Sequence, residues 1–193
     1  MLKNQLKKYH LILASGSPRR QQFFKDLDLD FEIRLKEIEE IYPSSLKAQE
    51  ITIYLAMLKG TAFEGELLSN EILITSDTIV WHKNKALGKP KDQKEAFEIL
   101  KSLSDATHEV ITSICFKSQE KSEVITEISR VTFNKLSDEA INYYLEKFKP
   151  YDKAGAYGIQ DWIGLIGVSK IEGSYANVMG MPTDKVYEYL SKL

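Results

Sequence analysis

The chain has 193 residues, 43% of them hydrophobic, and a formal net charge of −2. That length and apolar content allow a buried core and exclude a disordered chain. The slight acidity and the lack of a basic stripe exclude attraction to a nucleic-acid backbone or an anionic membrane as the default expectation, so a phosphate site has to come from local clusters of Lys and Arg.

The first residues run basic, then apolar, then small. The apolar part is only Leu11 to Ala14, against the roughly 7–15 residues of a secretory signal. It reads as a first strand, residues 9–14, with a solvated basic lead-in. Ser17 and Pro18 then open a helix to about Leu27, with Ser as N-cap. Residues 31–35 read as a strand, and 47–64 as a helix with Ile51, Leu55, Leu58 and Ala62 on one face. ILITS at 72–76 is an apolar run of the kind buried on both faces of a sheet. Residues 78–81 and Ala86-Leu87 flank a turn at Lys83-Asn84. A helix is predicted over 92–103, two alternating strands over 108–117 and 123–133, and a helix over 137–148 begun by Ser137. IGLIGVSKI reads as a late strand and 183–192 as a closing helix capped by Thr183. The pattern is α/β with mixed strand directions. No stretch approaches the ~18 apolar residues of a membrane span. The single cysteine, Cys115, excludes an internal disulfide, fits a reducing compartment such as the cytoplasm, and reads as a small buried residue on a strand.

The sharpest chemical signal is SGSPRR at 15–20, where a buried strand hands over to a helix. Backbone N–H groups at a helix N-terminus favour anions. Arg19 and Arg20 at that positive end are unfavourable for stability by about 0.3–1 kcal/mol each, yet suited to gripping a phosphate. The alternative is that both are solvated or paired with Asp26 or Glu39. Ser76-Asp77-Thr78 follows the most apolar run and places a carboxylate where a central strand meets its loop, a common place for catalysis or a metal. A turn-forming Asp is the rival reading. Mg²⁺ is held by one or two carboxylates plus substrate phosphates, which makes Glu39 and Glu40 candidate ligands beside Asp77. Lys89, in the loop LGKPKD, is a candidate phosphate contact, and Lys59 alone reads as a surface lysine on its helix. In YDKAGAYGIQ at 151–160, Gln160 carries a donor and an acceptor that could read a base edge. P-loop and dinucleotide fingerprints are absent, and His10, His82 and His108 lack metal spacing.

Taken in order, LILASGSPRR, SDTIV, LGKPKD and DKAGAYGIQ resemble the Maf family of nucleotide pyrophosphatases over nearly the whole chain. The late segment GSYANVMGMP is similar to the family's GSYxNVxGLP, with Met181 where Leu is usual, a volume-conserving change. The resemblance implies a single Maf/ITPase-like domain over residues 1–193, a long twisted mixed sheet flanked by helices, with two lobes around a deep cleft. It implies hydrolysis of a pyrimidine nucleoside triphosphate between the α- and β-phosphates, giving the monophosphate and pyrophosphate in a house-cleaning role. The SGSPRR form, the Thr after the Asp and the GIQ ending resemble the dTTP/UTP branch. Carried over by motif, Ser15, Arg19, Arg20, Lys59 and Lys89 would bind the triphosphate. Asp77 would be the proton acceptor or a metal-binding carboxylate, with Glu40 as helper, and Arg19, Thr78 and Gln160 would tune base choice. The implied cofactor is a divalent cation, Mg²⁺ or Mn²⁺. The implied partner is a small-molecule nucleotide, not nucleic acid or membrane, and a homodimer is plausible for the family. Rival readings are a regulatory nucleotide-binding protein acting in septum formation without essential turnover, and a purine-directed pyrophosphatase of the same fold.

Overall fold

The lead-in departs from expectation at once. In the computed structural model, which describes residues 2–193, it forms a short helix, α1 (Leu2–Gln5), and a 3-10 turn over Leu6–Lys8. Leu2 and Leu6 are buried while Lys7 and Lys8 are exposed. Two leucines four residues apart make one apolar face, which outweighs the basic character of the stretch.

The next elements fall where expected, with shorter ends: β1 (His10–Leu13), α2 (Pro18–Asp26), β2 (Phe31–Ile33) and α3 (Gln49–Thr61). The central strand is a correction. It does not stop before Asp77 but runs unbroken as β3 (Glu71–His82). Asp77 therefore stands in mid-strand rather than at a strand-to-loop junction. Ser76 and Asp77 are buried, and a strand tolerates such residues when partners meet their polar groups. β3 pairs in parallel with β1, Leu11 opposite Ile72 and Leu13 opposite Ile74. It then turns back antiparallel into β4 (Lys85–Leu87). Lys83 and Asn84 both have positive φ, 48° and 61°, as a two-residue type I′ hairpin requires.

Asp92 caps α4 (Gln93–Leu103), its carboxylate accepting from the Glu95 N–H at 2.8 Å. β5 (Thr107–Lys117) and β6 (Ser122–Phe133) follow, then α5 (Asp138–Phe148), where the Ala140 N–H donates to Ser137 Oγ at 3.1 Å. The expected late strand divides into a helix, α6 (Trp162–Gly167), and a shorter strand, β7 (Val168–Glu172). The Asp161 carbonyl accepts from the Gly164 and Leu165 N–H groups and starts the helix. A Cβ on Gly164 would lie 2.1 Å from the Ile159 carbonyl oxygen, so only glycine lets this turn close on the preceding loop. A short apolar run does not reveal that by periodicity. α7 (Tyr175–Val178) is capped by Ser174. In α8 (Thr183–Leu190) the cap position belongs to Pro182, so Thr183 is the first helical residue and not the cap.

The strands form one mixed seven-stranded sheet in the order β2-β1-β3-β5-β6-β7, with β4 pairing β3 off that path. The chain divides into two compact units. Unit 1 holds Met1–Asp77, Thr112–Glu127 and Gly180–Leu193; unit 2 holds Thr78–Ile111 and Ile128–Met179. Each has its own core. Leu11, Leu13, Phe24, Ile74, Phe116 and Leu190 pack in unit 1, and Leu100, Val131, Phe133, Ile141, Tyr144 and Ile163 in unit 2. Cys115 is buried in β5, and burial raises its thiol pKa, as for an inert core residue.

The unit 2 core contains a titrating group. His108 is buried, stacks on Phe133 and shares a 2.7 Å hydrogen bond with the Tyr157 hydroxyl. Burial, with His82 adding to it, pushes the His108 pKa from 6.5 down to about 3. The unfolded chain therefore takes up a proton below 6.5 that the native state refuses. The stability contribution is complete above 6.5 and is lost as pH falls toward 3, at up to about 1.4 kcal/mol per pH unit. Urea unfolding between pH 7 and 4 is expected to show this acid slope in the native protein and a shallower one in His108→Phe. Equal slopes would assign the loss to other groups.

Candidate active site

In unit 1 the site begins where β1 ends. The Ala14 N–H donates to the Ile74 carbonyl at 2.9 Å, which fixes the exit of β1 beside β3. Ser15 is buried, its carbonyl accepts from Gln21 Nε2 at 3.0 Å, and its Oγ accepts from the Ser17 N–H at 3.3 Å. Ser17 stands at the N-cap of α2 without a side-chain cap bond. Gly16 is exposed, and a Cβ there would meet only Leu35, at 3.8 Å. Crowding at Gly16 is therefore not what demands glycine. Its small size leaves the backbone open to close approach.

Arg19 and Arg20 occupy the first turn of α2. Arg20 turns inward. Its Nε donates to the Gly180 carbonyl at 2.9 Å and its Nη1 to the Ser76 carbonyl at 2.8 Å. Burial lowers its pKa from the ordinary value, Asp77 opposes the fall and Arg19 adds to it. Gly180 has φ +98°, a conformation that favours glycine.

Lys59 lies in the last turn of α3. The buried Thr75 hydroxyl of β3 donates to the Ala56 carbonyl at 2.6 Å, and Thr52 of α3 shares a 2.7 Å bond with Ser113 of β5. These bonds hold α3 on the sheet and aim Lys59 at the strand. Its Nζ donates to Asp77 Oδ1 at 2.7 Å and lies 3.1 Å from Glu40 Oε1. The Asp77 side chain is 8% exposed, that of Lys59 16%, and that of Glu40 50%. An ammonium thus sits against two carboxylates, one buried and one wet. Glu39 is exposed beside Glu40.

Unit 2 holds the other motif residues. Thr78 follows Asp77 in β3 and is half-buried. Lys89 is exposed in the loop after β4. The Gly155 N–H donates to the Gly88 carbonyl at 3.1 Å, so the Lys89 loop is tied to the 152–160 segment. Gly155 has φ +71°, and a Cβ there would stand 2.7 Å from Val80 Cγ2. Gln160 is exposed at a turn beyond it. A hollow of about 280 Å³ in unit 2, lined by Trp81, His82, Asn84 and Arg130 among others, contains none of these motif residues. The candidate site therefore rests on side-chain geometry.

Sequence reading missed the carbonyls of Ser76 and Gly180. Backbone acceptors carry no residue signature, although Gly180 falls in the GSYANVMGMP stretch.

A family model described as Maf-like protein matches residues 10–193. A dTTP/UTP pyrophosphatase of Flavobacterium johnsoniae is 68% identical over 193 residues, covering 100% of this chain and 100% of that protein. A dTTP/UTP pyrophosphatase of Flavobacterium psychrophilum is 65% identical over 190 residues, covering 98% and 97%. Among solved structures, the Ham1 protein of Staphylococcus aureus matches with a TM-score of 0.52 over 95% of this chain and 98% of that one. At 14% identity the likeness is one of fold.

Proposed function

Because this chain belongs to the Maf family, we propose that it hydrolyses dTTP and UTP to the nucleoside monophosphate and pyrophosphate. The observation that carries the reading is the buried Asp77 carboxylate held by Lys59 at 2.7 Å beside Glu40. The high identity to pyrophosphatases over the full chain supports the substrate class. The reading treats residues 1–193 as one functional domain, since the family match runs through both units.

In the reaction, a water oxygen bonds to the α-phosphorus and the bond from that phosphorus to the α–β bridging oxygen breaks. The water's proton goes to a carboxylate, and pyrophosphate leaves with the bridging electrons. Asp77 is the group we assign to that proton. Lys59 fixes its Oδ1 and so its orientation. Ser15, Arg19, Lys59 and Lys89 are assigned to the triphosphate, where cations offset charge growing on the leaving group. We assign Arg20 differently from the motif expectation. Its two backbone bonds tie Ser76, next to Asp77 in mid-strand, to Gly180. Arg19, Thr78 and Gln160 are assigned to base choice.

A divalent cation fits the residues present. Asp77 and Glu40 already share one cation, the Lys59 ammonium. Among the described residues no group of three or more His, Cys, Asp or Glu is arranged as a cage. Two carboxylates completed by substrate phosphates is the usual arrangement for Mg²⁺. Asp77 and Glu40 would hold it, and when bound it would polarise a phosphoryl oxygen. A cytoplasmic setting is supported by the lone buried cysteine. Among the described residues no helix is long and apolar enough to cross a membrane.

The test is pyrophosphate release from dTTP, UTP, CTP, dCTP, 7-methyl-GTP and ITP with Mg²⁺ or Mn²⁺. Turnover of dTTP and UTP above the others is expected. No turnover of any nucleotide by folded protein would return the reading to a regulatory binding protein. Preference for ITP or 7-methyl-GTP would move it to the purine-directed form.

A further inference from the structure

We propose that Tyr144 is a positioning residue for base choice, its hydroxyl clipping together both ends of the turn that presents Gln160. The inference rests on the assignment of Gln160 to base reading.

Gly158, Ile159, Gln160 and Asp161 form a four-residue turn, closed by the Asp161 N–H donating to the Gly158 carbonyl at 3.0 Å. Ile159, at one corner, is buried in the unit 2 core; Gln160, at the other, is exposed. Tyr144 reaches this turn from α5, and its side chain is fully buried. Its hydroxyl donates to Asp161 Oδ2 at 2.6 Å and accepts from the Gly158 N–H at 3.2 Å. One oxygen thus binds the first and last residues of the turn, and Gln160 lies between them.

Asp161 carries a second indication. It stands at the N-cap of α6, where an Asp ordinarily accepts from a first-turn N–H, yet its side chain makes no cap bond. The carboxylate faces Tyr144 instead, with Lys153 Nζ at 3.9 Å. Burial, then the bond to Asp161, raises the Tyr144 pKa well above the ordinary phenol value, so the hydroxyl remains a donor through the physiological range. A phenylalanine would fill the same core volume and leave both ends of the turn without this partner. Gln160 reads a base edge only if its amide is held at a set angle and distance, and a shift near 1 Å can cost roughly a hundredfold. Tyr144 acts through the turn and not on the substrate.

The experiment measures kcat/KM for dTTP, UTP, ITP and GTP in the native enzyme, Tyr144→Phe, Gln160→Ala and the double variant. Tyr144→Phe is expected to lower the pyrimidine-to-purine ratio roughly ten- to a hundredfold. It should add nothing to the selectivity loss of Gln160→Ala. Asp161→Asn, which keeps an acceptor for the hydroxyl, should retain more selectivity than Asp161→Ala, and this pair decides the matter if Tyr144→Phe does not fold. Native selectivity in Tyr144→Phe beside a loss in Gln160→Ala overturns the clip. So does an equal fall for every nucleotide, or equal behaviour of the two Asp161 variants. Native selectivity in Gln160→Ala instead removes the base-reading assignment beneath it.

Discussion

Asp77→Asn is expected to lower kcat for dTTP hydrolysis roughly a hundred- to ten-thousandfold, the range for loss of a positioned proton acceptor. The substitution nearly preserves shape. The amide oxygen can still accept from Lys59, so the strand and α3 keep their contact. What is lost is a negative charge and a basic oxygen within β3. Lys59 does not become an isolated buried cation, because Glu40 remains 3.1 Å away. Glu40 is half exposed, and such pairs contribute little in water. The cost in stability should therefore be about 1–3 kcal/mol, below the 3–5 kcal/mol typical of a fully orphaned buried charge. Initial rates at saturating dTTP, taken well below the thermal midpoint of the variant, separate the chemical loss from unfolding. A kcat within about threefold of native would remove Asp77 from the proton transfer, since general-base catalysis cannot be so weak.

Arg20→Met should act mainly on stability. Met approximates the length of the side chain and removes its donors. The Gly180 carbonyl, on a buried residue, then loses this donor, and the buried Ser76 carbonyl keeps only the long 3.4 Å bond from Lys59 Nζ. An unsatisfied buried acceptor costs about 1–3 kcal/mol, so one acceptor orphaned and a second weakened predict a loss of about 2–4 kcal/mol. In a chain of 193 residues that corresponds to a fall of about 10 °C in the thermal midpoint. Arg20→Lys should recover part of the loss, because an ammonium can reach one carbonyl but lacks the planar fork that meets two. Thermal and urea unfolding of the three proteins measure this. A midpoint unchanged in Arg20→Met, together with a raised KM for dTTP, would return Arg20 to the triphosphate and undo its assignment to the strand.

Local chemistry was legible where it is self-contained. Ser137 and the Lys83-Asn84 turn act on backbone groups within four residues, so type and position together predict the cap or turn. The apolar faces of α3 and α4 follow from spacing alone. Reading failed where distant groups decide. Ser76-Asp77-Thr78 looks like a strand end because its polarity is visible, while its partners on α3 lie 17 and 18 residues away in sequence. WIGLIG looks like a strand because the fit of Gly164 to the Ile159 carbonyl is a matter of packing. The site divides in the same way. Motif order pointed to Asp77, Lys59 and Glu40, and the structure joins them through one ammonium. Arg20 was found by type, but its acceptor on Gly180 is 160 residues distant. Tyr144 carried no signal, since an aromatic on an amphipathic helix reads as core.

The threading of unit 1 bears on biosynthesis. Leu2 and Leu6 pack in one cluster with Met181, Val186, Tyr189 and Leu190. A ribosome makes Leu2 and Leu6 first and the other four only after 174 intervening residues have been polymerised. At roughly 5–20 residues per second, these leucines wait about ten to forty seconds without their native neighbours. The N-terminal segment cannot mature vectorially. Until then it is an apolar, lysine-flanked stretch without its native neighbours, and a chain stalled before Gly180–Leu193 would lack the residues that complete this cluster.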